Sequence, residues 1–290
     1  MQQTNLLPVS ASGTFLIGDD LRVYRLGFGA MRITGKGIWG APSDKQEALN
    51  VLRRALELGI NLIDTADSYG PAVSESLIAE ALYPYPSHLV IATKGGYIRT
   101  GPDQWRPDGR PEHLREALQG SLQRLRLQRI DLYQLHTPDP KVPFQDSVGE
   151  LVKMKAEGKI RHIGLSNVNA QQLEQARKLT PIVTVQNRYN LTDRTSEDMV
   201  DICQQENIGF IPWFPLATGD LNRDQGHLAR IAAKHNATPG QIALAWLLKR
   251  SCSMLPIPGT GSVKHLEENA RAAQIQLSDE EFQTISQGFH

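Results

Sequence analysis

Cysteine is nearly absent from this sequence, which contains only Cys203 and Cys252, far apart along the chain. Two such residues build neither a disulfide framework nor a four-ligand zinc site. This usage is typical of a reducing compartment, and we expect a cytoplasmic location. Residues 1–13 also lack the basic segment of an export signal, and Pro8 interrupts their apolar run.

The sequence also lacks net charge, since 31 Lys and Arg residues balance 31 Asp and Glu residues. Without a basic surface to hold a polyanion, we expect no nucleic-acid partner. No stretch approaches the run of about 20 apolar residues that crosses a membrane, so we expect no membrane partner. The 290 residues, 40% of them hydrophobic, suffice for one large core. We predict a single domain over residues 1–290, and a monomer, because no long apolar helix favours assembly.

Strand-like and helix-like segments alternate after an N-terminal hairpin that turns at residues 18–20. The predicted strands are residues 25–29, 60–64, 89–94, 130–136, 160–166, 182–187, 208–213 and 253–258. The first predicted helix is capped by Ser43 or Asp44 and closed by Gly59. The later ones are residues 73–82, 111–125, 144–157, 170–179, 196–206, 224–235, 239–249 and 263–272, with a terminal helix from residue 278.

Eight strands that each precede a helix predict a parallel sheet closed as a (β/α)8 TIM barrel, with an N-terminal β-hairpin and a C-terminal helix. A doubly wound open sheet is the alternative. It requires a G-x-G-x-x-G loop after its first strand, and "GFGAMRITG" at residues 27–35 lacks that spacing. Residues 95–111, rich in Gly and Pro, form an unusually long connection and are a candidate functional lid.

Polar side chains recur where the predicted strands end. Asp64 ends the second strand, Lys94 the third and His136 the fourth, while Tyr69 follows Asp64 by five residues. The carboxyl ends of all strands of such a barrel meet on the face that carries the active site. We therefore expect these four side chains to converge.

Together the four residues would form a proton donor. The ordinary pKa of tyrosine is about 10, and Lys94 as a neighbouring cation would lower the pKa of Tyr69. A buried lysine keeps its own proton beside a carboxylate, and at ~4 Å and an effective dielectric near 20 the attraction of Asp64 is worth about 4 kcal/mol. His136 would donate a hydrogen bond to the substrate oxygen. Asp67 remains for a loop-capping or solvated role.

Such an acid suits an oxygen that becomes an alkoxide, the product of hydride addition to a carbonyl. A bound nicotinamide is the natural hydride source. The side-chain amides of Asn167 and Gln186, at two neighbouring strand ends, are able to hold its carboxamide, and Trp213 is able to stack on its ring.

The same segments resemble the aldo-keto reductases over nearly the whole chain. The similar motifs are "IDTADSYG" at residues 63–70, "ATK" at 92–94, "LYQLH" at 132–136 and "GKIRHIGLSN" at 158–167. The resemblance implies a catalytic tetrad of Asp64, Tyr69, Lys94 and His136. It also implies a cofactor that is bound in an extended form, without a Rossmann fold.

The resemblance also assigns the cofactor contacts. The backbone of residues 214–221 would follow the pyrophosphate, and residues 257–269 would bind the adenosine and its 2′-phosphate. Gly259 and His265 occupy positions that are basic in many members of the family, so NADP is favoured and NAD remains possible. The cofactor-binding residues expected on this basis are Ser166, Asn167, Gln186, Trp213, Pro215, Leu216, Gly219, Leu221, Gly259, Thr260, Ser262, Lys264, His265, Glu268 and Asn269.

Substrate selection is expected from loops at the barrel mouth, where apolar walls would come from Met31, Trp39, Tyr97 and Trp105. The function that follows is NAD(P)H-dependent reduction of an aldehyde or ketone to an alcohol, with the proton from Tyr69. A pyridoxal-like aldehyde, a sugar, an aliphatic aldehyde and a steroidal ketone all remain open as substrates.

Three alternatives belong to other classes. The same fold serves as a non-catalytic, NADP(H)-binding regulatory or sensor subunit. Lys94 as a Schiff-base lysine would make the protein an aldolase. A metal held by Asp64, Asp67 and His136 lacks a full ligand set, so we expect no metal.

Overall fold

The computed structural model describes residues 7–216 and 226–289. Its strands are β1 (Thr14–Ile17), β2 (Leu21–Tyr24), β3 (Phe28–Gly29), β4 (Leu62–Asp64), β5 (Val90–Gly95), β6 (Tyr97–Gly101), β7 (Gln104–Pro107), β8 (Ile130–Leu135), β9 (Ile160–Ser166), β10 (Ile182–Arg188) and β11 (Gly209–Trp213). Its α-helices are α1 (Lys45–Glu57), α2 (Val73–Leu82), α3 (Pro111–Leu125), α4 (Phe144–Ala156), α5 (Ala170–Arg177), α6 (Glu197–Gln205), α7 (His227–Lys234), α8 (Pro239–Arg250), α9 (Val263–Arg271) and α10 (Asp279–Gln287).

The main sheet has the order β3-β4-β5-β8-β9-β10-β11, and every neighbouring pair is parallel. Residues 253–256 close it. The amide of Leu255 donates to Phe210 O of β11 at 2.8 Å, and the amide of Gly27, just before β3, donates to Pro256 O at 2.9 Å. The predicted (β/α)8 barrel is therefore confirmed.

Residues 253–258, predicted as the eighth strand, do not form a regular strand. They make one isolated bridge, between Met254 and Phe210. Pro256 and Pro258 have no N–H to donate, so a continuous ladder cannot extend through this segment.

Two apolar layers lie on the two sides of the strands. Phe15 and Ile17 of the N-terminal hairpin pack with inward residues such as Leu62, Val90 and Leu132 in the barrel interior. A larger layer lies between the strands and the helices. The hairpin therefore fills the amino-terminal end of the barrel, and polar side chains occupy the interior at the other end.

The ends of α1 follow the predicted capping chemistry, and two later helices begin with caps as well. Asp44 caps α1, and Thr238 and Ser278 form capping boxes at α8 and α10. Gly59, after α1, has φ +91°, a conformation that favours glycine. Predicted and observed helix ends mostly differ by one or two residues, and the predicted start of α7 at residue 224 lies outside the described residues.

Residues 95–111 are not the irregular loop that their composition predicts. β6 and β7 form an antiparallel hairpin with Pro102 and Asp103 at its tip, where Asp103 has φ +54°. The Gly and Pro residues that indicated a loop flank this hairpin and form its turn.

Within the described residues, no helix has both the length and the apolar character that crossing a membrane requires.

Candidate active site

Strand alternation brings the key polar residues inside the barrel. Leu62 of β4, Ala92 of β5 and Leu132 of β8 belong to the interior layer. Because side chains two positions apart share a face, Asp64, Lys94 and Gln134 also point inward. They lie one layer above the apolar filling, at the carboxyl ends of the strands.

Lys94 is at the centre of this layer and has no solvent exposure. Its Nζ donates to Asp64 Oδ1 at 2.6 Å, to Thr65 O at 2.9 Å and to Tyr69 OH at 3.2 Å. Burial alone would lower the pKa of Lys94, but the charge of Asp64 and the hydrogen bonds that Nζ donates to Asp64 and Tyr69 outweigh burial and raise this pKa. The side chain is therefore an ammonium group that is fully hydrogen-bonded.

The second oxygen of Asp64 is held by two amides. Gln134 Nε2 donates to Oδ2 at 3.0 Å and Gln186 Nε2 donates at 2.9 Å. Sequence reasoning missed Gln134, although the alternation from Leu132 points to it. Gln186, expected to bind the cofactor, also orients the carboxylate, and its Oε1 remains for a ligand.

Tyr69 is buried, and its hydroxyl accepts the bond from Lys94. Burial raises the pKa of Tyr69 above its ordinary value of 10; Lys94 lowers it only in part, and Asp64 raises it again. The expectation of a lowered pKa is therefore wrong for this site, because burial raises the pKa of Tyr69 and, together with the charge of Asp64, outweighs the effect of Lys94. Tyr69 keeps its proton at neutral pH.

His136 faces Tyr69, with ring centroids 5.8 Å apart. Burial lowers the pKa of His136 well below its ordinary value, and the charges of Lys94 and Arg99 lower it further. Its Nδ1 lies 3.4 Å from Ser68 Oγ, a long hydrogen bond. A neutral ring that accepts from Ser68 at Nδ1 carries its proton on Nε2, where it is able to donate to a ligand.

Asp67 does not have the solvated carboxylate that the sequence suggested. The residue is partly exposed, but its Oδ1 is buried without a hydrogen-bond partner among the described residues. Burial, with the nearby charge of Glu75, raises the pKa of Asp67 to about 8. Asp67 is therefore a largely protonated acid behind the tetrad.

A cavity of about 460 Å³ opens above Tyr69 and His136. Of the four residues expected to form apolar walls, Met31, Tyr97 and Trp105 line it. Trp39 does not, because it pairs with Gly70 and packs beside Arg99. The walls that the sequence analysis missed are Gly29, Arg32 and Ile38, whereas Phe214, Ile257 and Pro258 belong to the segments that it assigned to the cofactor.

The cavity is also lined by residues that were expected to contact the cofactor: Ser166, Asn167, Gln186 and Trp213 for the nicotinamide, Pro215 and Leu216 for the pyrophosphate, and Gly259 for the adenosine part. Asn167 has φ +58°, a conformation that asparagine tolerates better than most residues. Its amide donates to His136 O and accepts from Trp213 Nε1, both at 3.0 Å. The hydroxyl of Ser166 and the free oxygen of Gln186 fit a carboxamide, which has both a donor and an acceptor. Gly219 and Leu221 lie outside the described residues.

The remaining predicted cofactor residues lie around the start of α9 and do not line this cavity; they are Thr260, Ser262, Lys264, His265, Glu268 and Asn269. Lys264 and His265 are exposed, whereas Glu268 accepts a bond from Thr238 Oγ1 at 2.9 Å. The helix N-terminus itself is engaged, because the amide of Val263 donates to Glu47 Oε1 at 2.9 Å. A carboxylate thus lies where the sequence suggested a phosphate.

The chain matches the model of the aldo/keto reductase family over residues 25–288. It is 50% identical to an uncharacterized oxidoreductase of Schizosaccharomyces pombe, covering 98% of this chain and 92% of that protein. It is 43% identical to pyridoxine 4-dehydrogenase of Escherichia coli, covering 95% and 98%.

The chain belongs to the aldo/keto reductase family. The fold agrees with a solved aldo/keto reductase of Klebsiella pneumoniae in complex with NADP and acetate, at a TM-score of 0.80 and 28% identity, covering 95% of each chain. This chain is therefore an NADP-dependent oxidoreductase, and the predicted family, enzyme class and cofactor are confirmed.

Proposed function

We propose that this chain reduces aldehydes or ketones to alcohols with NADPH, and that Tyr69 donates the proton. The observation that carries the proposal is the hydrogen bonding of Lys94, whose Nζ contacts both Asp64 and the hydroxyl of Tyr69 at the floor of the cavity. Asp64, Tyr69, Lys94 and His136 are the proposed catalytic residues.

Reduced nicotinamide, when bound, supplies the hydride. Each protein group has one task at the carbonyl oxygen. Tyr69 holds a proton at its hydroxyl and releases it as negative charge develops on that oxygen, while Lys94 stabilises the phenolate that remains. His136 donates from Nε2 and fixes the position of the oxygen. The buried site excludes water, which strengthens these interactions.

For the substrate we propose a planar aromatic aldehyde of the pyridoxal type. Tyr97 and Trp105 line the substrate part of the cavity with aromatic rings, which suit the faces of a flat heteroaromatic ring. The similarity to a pyridoxine 4-dehydrogenase supports the same class. A sugar would find few of the polar groups that its hydroxyls need on these walls.

The test is a panel of carbonyl compounds, followed by the loss of nicotinamide absorbance with NADPH and with NADH. We expect pyridoxal and similar aromatic aldehydes to have a higher kcat/KM than aliphatic aldehydes or sugars. A preference for a sugar would overturn the substrate class but not the reaction. Tight NADPH binding without turnover of any compound would favour the sensor subunit instead.

The Schiff-base alternative conflicts with the state of Lys94. A nucleophilic lysine must be uncharged. Burial favours the uncharged form of Lys94, but the carboxylate of Asp64, 2.6 Å away, outweighs burial and keeps the ammonium form. Borohydride trapping with pyridoxal should therefore leave Lys94 unmodified, as detected by peptide mass spectrometry.

A further inference from the structure

Arg99 of β6 connects three separate pieces of the active-site wall. It is only 8% exposed. Its Nε donates to Gln104 O at 2.9 Å, and its Nη2 donates to Gly101 O at 3.2 Å, both in its own hairpin. The same guanidinium donates to Gly37 O at 2.9 Å, Ile38 O at 2.8 Å and Ser68 O at 3.0 Å.

These contacts use all five N–H groups of the guanidinium on backbone carbonyl oxygens. The carbonyls belong to the hairpin β6–β7, to the loop after β3 and to the residue that precedes Tyr69. No carboxylate in the described part of the chain forms an ion pair with Arg99. The planar, five-donor shape of the side chain, more than its charge, is therefore what fits this position, and lysine does not reproduce it.

The guanidinium also supports a wall of the substrate cavity. Its Cζ lies 3.7 Å from the centre of the Trp105 ring, a stacking distance. The centre of that ring lies 6.3 Å from the ring of Tyr69 and 6.2 Å from that of His136. Trp105 thus packs against Arg99 and also lies next to two of the proposed catalytic residues.

We propose that Arg99 is a positioning residue for the substrate, which acts through Trp105. It fixes the hairpin β6–β7 against the loop at residues 37–38 and holds the indole ring at the distance from Tyr69 that a flat substrate requires. It does not touch the nicotinamide wall formed by Ser166, Gln186 and Trp213. This proposal deepens the proposed function and rests on it.

The first test compares Arg99→Lys with Arg106→Lys, an exposed arginine on the other strand of the same hairpin. For Arg99→Lys we expect the KM for pyridoxal to rise about tenfold, because a displacement of the ring by a fraction of an ångström weakens substrate positioning. We expect kcat to change less than about threefold, since Lys94 still holds Tyr69. The Kd for NADPH should change less than about twofold, because Arg99 shares no contact with the nicotinamide wall. Arg106→Lys should match the wild type in all three.

The second test is a double-mutant cycle with Trp105→Ala. If Arg99 acts through Trp105, Arg99→Lys should raise the KM by less than about twofold in the Trp105→Ala background, and the two single effects should not multiply. Multiplying effects, or equal losses in NADPH and substrate affinity, would overturn the proposal. Melting temperatures of all variants identify a loss of folded protein, and wild-type turnover of pyridoxal tests the proposed function separately.

Discussion

The region around Lys94 and the region around the start of α9 are built in opposite ways. In the first region, Lys94 and Asp64 are buried, and the two charged groups have hydrogen-bond partners from several different segments. In the second, Lys264 and His265 are exposed, and the helix N-terminus binds Glu47 of the protein itself. The side chains of the first region are held in place by these bonds. In the second region, ligand binding would depend on exposed charges, each of which contributes little to affinity.

The two regions differ in how strongly their geometry is constrained. A buried ion pair loses several kcal/mol if one partner is removed, so its geometry is strongly constrained. Exposed groups near a phosphate change affinity by about 1 kcal/mol or less each. Substitutions around Lys94 should therefore abolish the reaction, whereas single substitutions around the start of α9 should shift the preference between NADPH and NADH.

Tyr69→Phe should produce the largest effect on activity. Loss of a positioned general acid typically costs 10²- to 10⁴-fold, and we expect a fall in kcat of about 10³-fold. Lys94 retains its bonds to Asp64 and Thr65, so the site should stay assembled. Steady-state kinetics measures the loss, and fluorescence titration should give a Kd for NADPH within about threefold of the wild type. Normal turnover by this variant would remove Tyr69 as the acid.

Asp64→Asn should produce the largest effect on stability. It leaves the Lys94 ammonium buried without a counter-charge, and we expect a loss of about 3–5 kcal/mol in the free energy of unfolding. Urea denaturation measures this, and the double variant Asp64→Asn with Lys94→Met should recover most of the loss. If the single variant were as stable as the wild type, the buried pair would not constrain the geometry of the site.

Much of the fold was predictable because its signals are local or periodic. The barrel strands carry continuous apolar runs, and Asp44, Thr238 and Ser278 supply capping signals that the structure contains. The hairpin β6–β7 was not predictable in this way. Its ends and its turn are rich in Gly and Pro, and it is held by Arg99, whose partners lie up to 62 residues away along the chain.

The site shows the same division. Positions of Asp64, Lys94 and His136 follow from strand ends, and Gln134 follows from alternation once Leu132 is known to face inward. The raised pKa of Tyr69 and the protonation of Asp67 could not be predicted, because they depend on the balance between burial and several charges. The contact of Glu47 with α9 joins residues 216 positions apart and has no sequence signal.

Asp67→Asn tests the buried side through pH. In the folded protein the pKa of Asp67 is about 8, above its ordinary value of 3.8. Between these two pH values the folded state binds more protons than the unfolded state, so the contribution of Asp67 to stability falls as the pH rises, by at most about 1.4 kcal/mol per unit. Asparagine does not titrate. We expect the variant to equal the wild type near pH 4 and to be more stable by about 2 kcal/mol at pH 8. This total is well below the full slope summed from pH 4 to pH 8, because the residue is partly exposed. Stability curves that run parallel from pH 4 to pH 8 would contradict this.

Glu47→Gln tests the open side and should have the smallest effect. Glutamine keeps an oxygen for the amide of Val263 but removes the negative charge from the N-terminus of α9. A phosphate near this N-terminus would then meet less repulsion, and we expect the Kd for NADPH to fall about threefold, in line with the modest worth of one exposed charge. The Kd for NADH, which lacks the 2′-phosphate, should not change, and the difference should shrink at high salt. Glu57→Gln, on the same helix and already paired with Arg54, is the matched control. Equal changes for both dinucleotides would show that the 2′-phosphate does not bind near Glu47, and would place dinucleotide preference elsewhere on the chain.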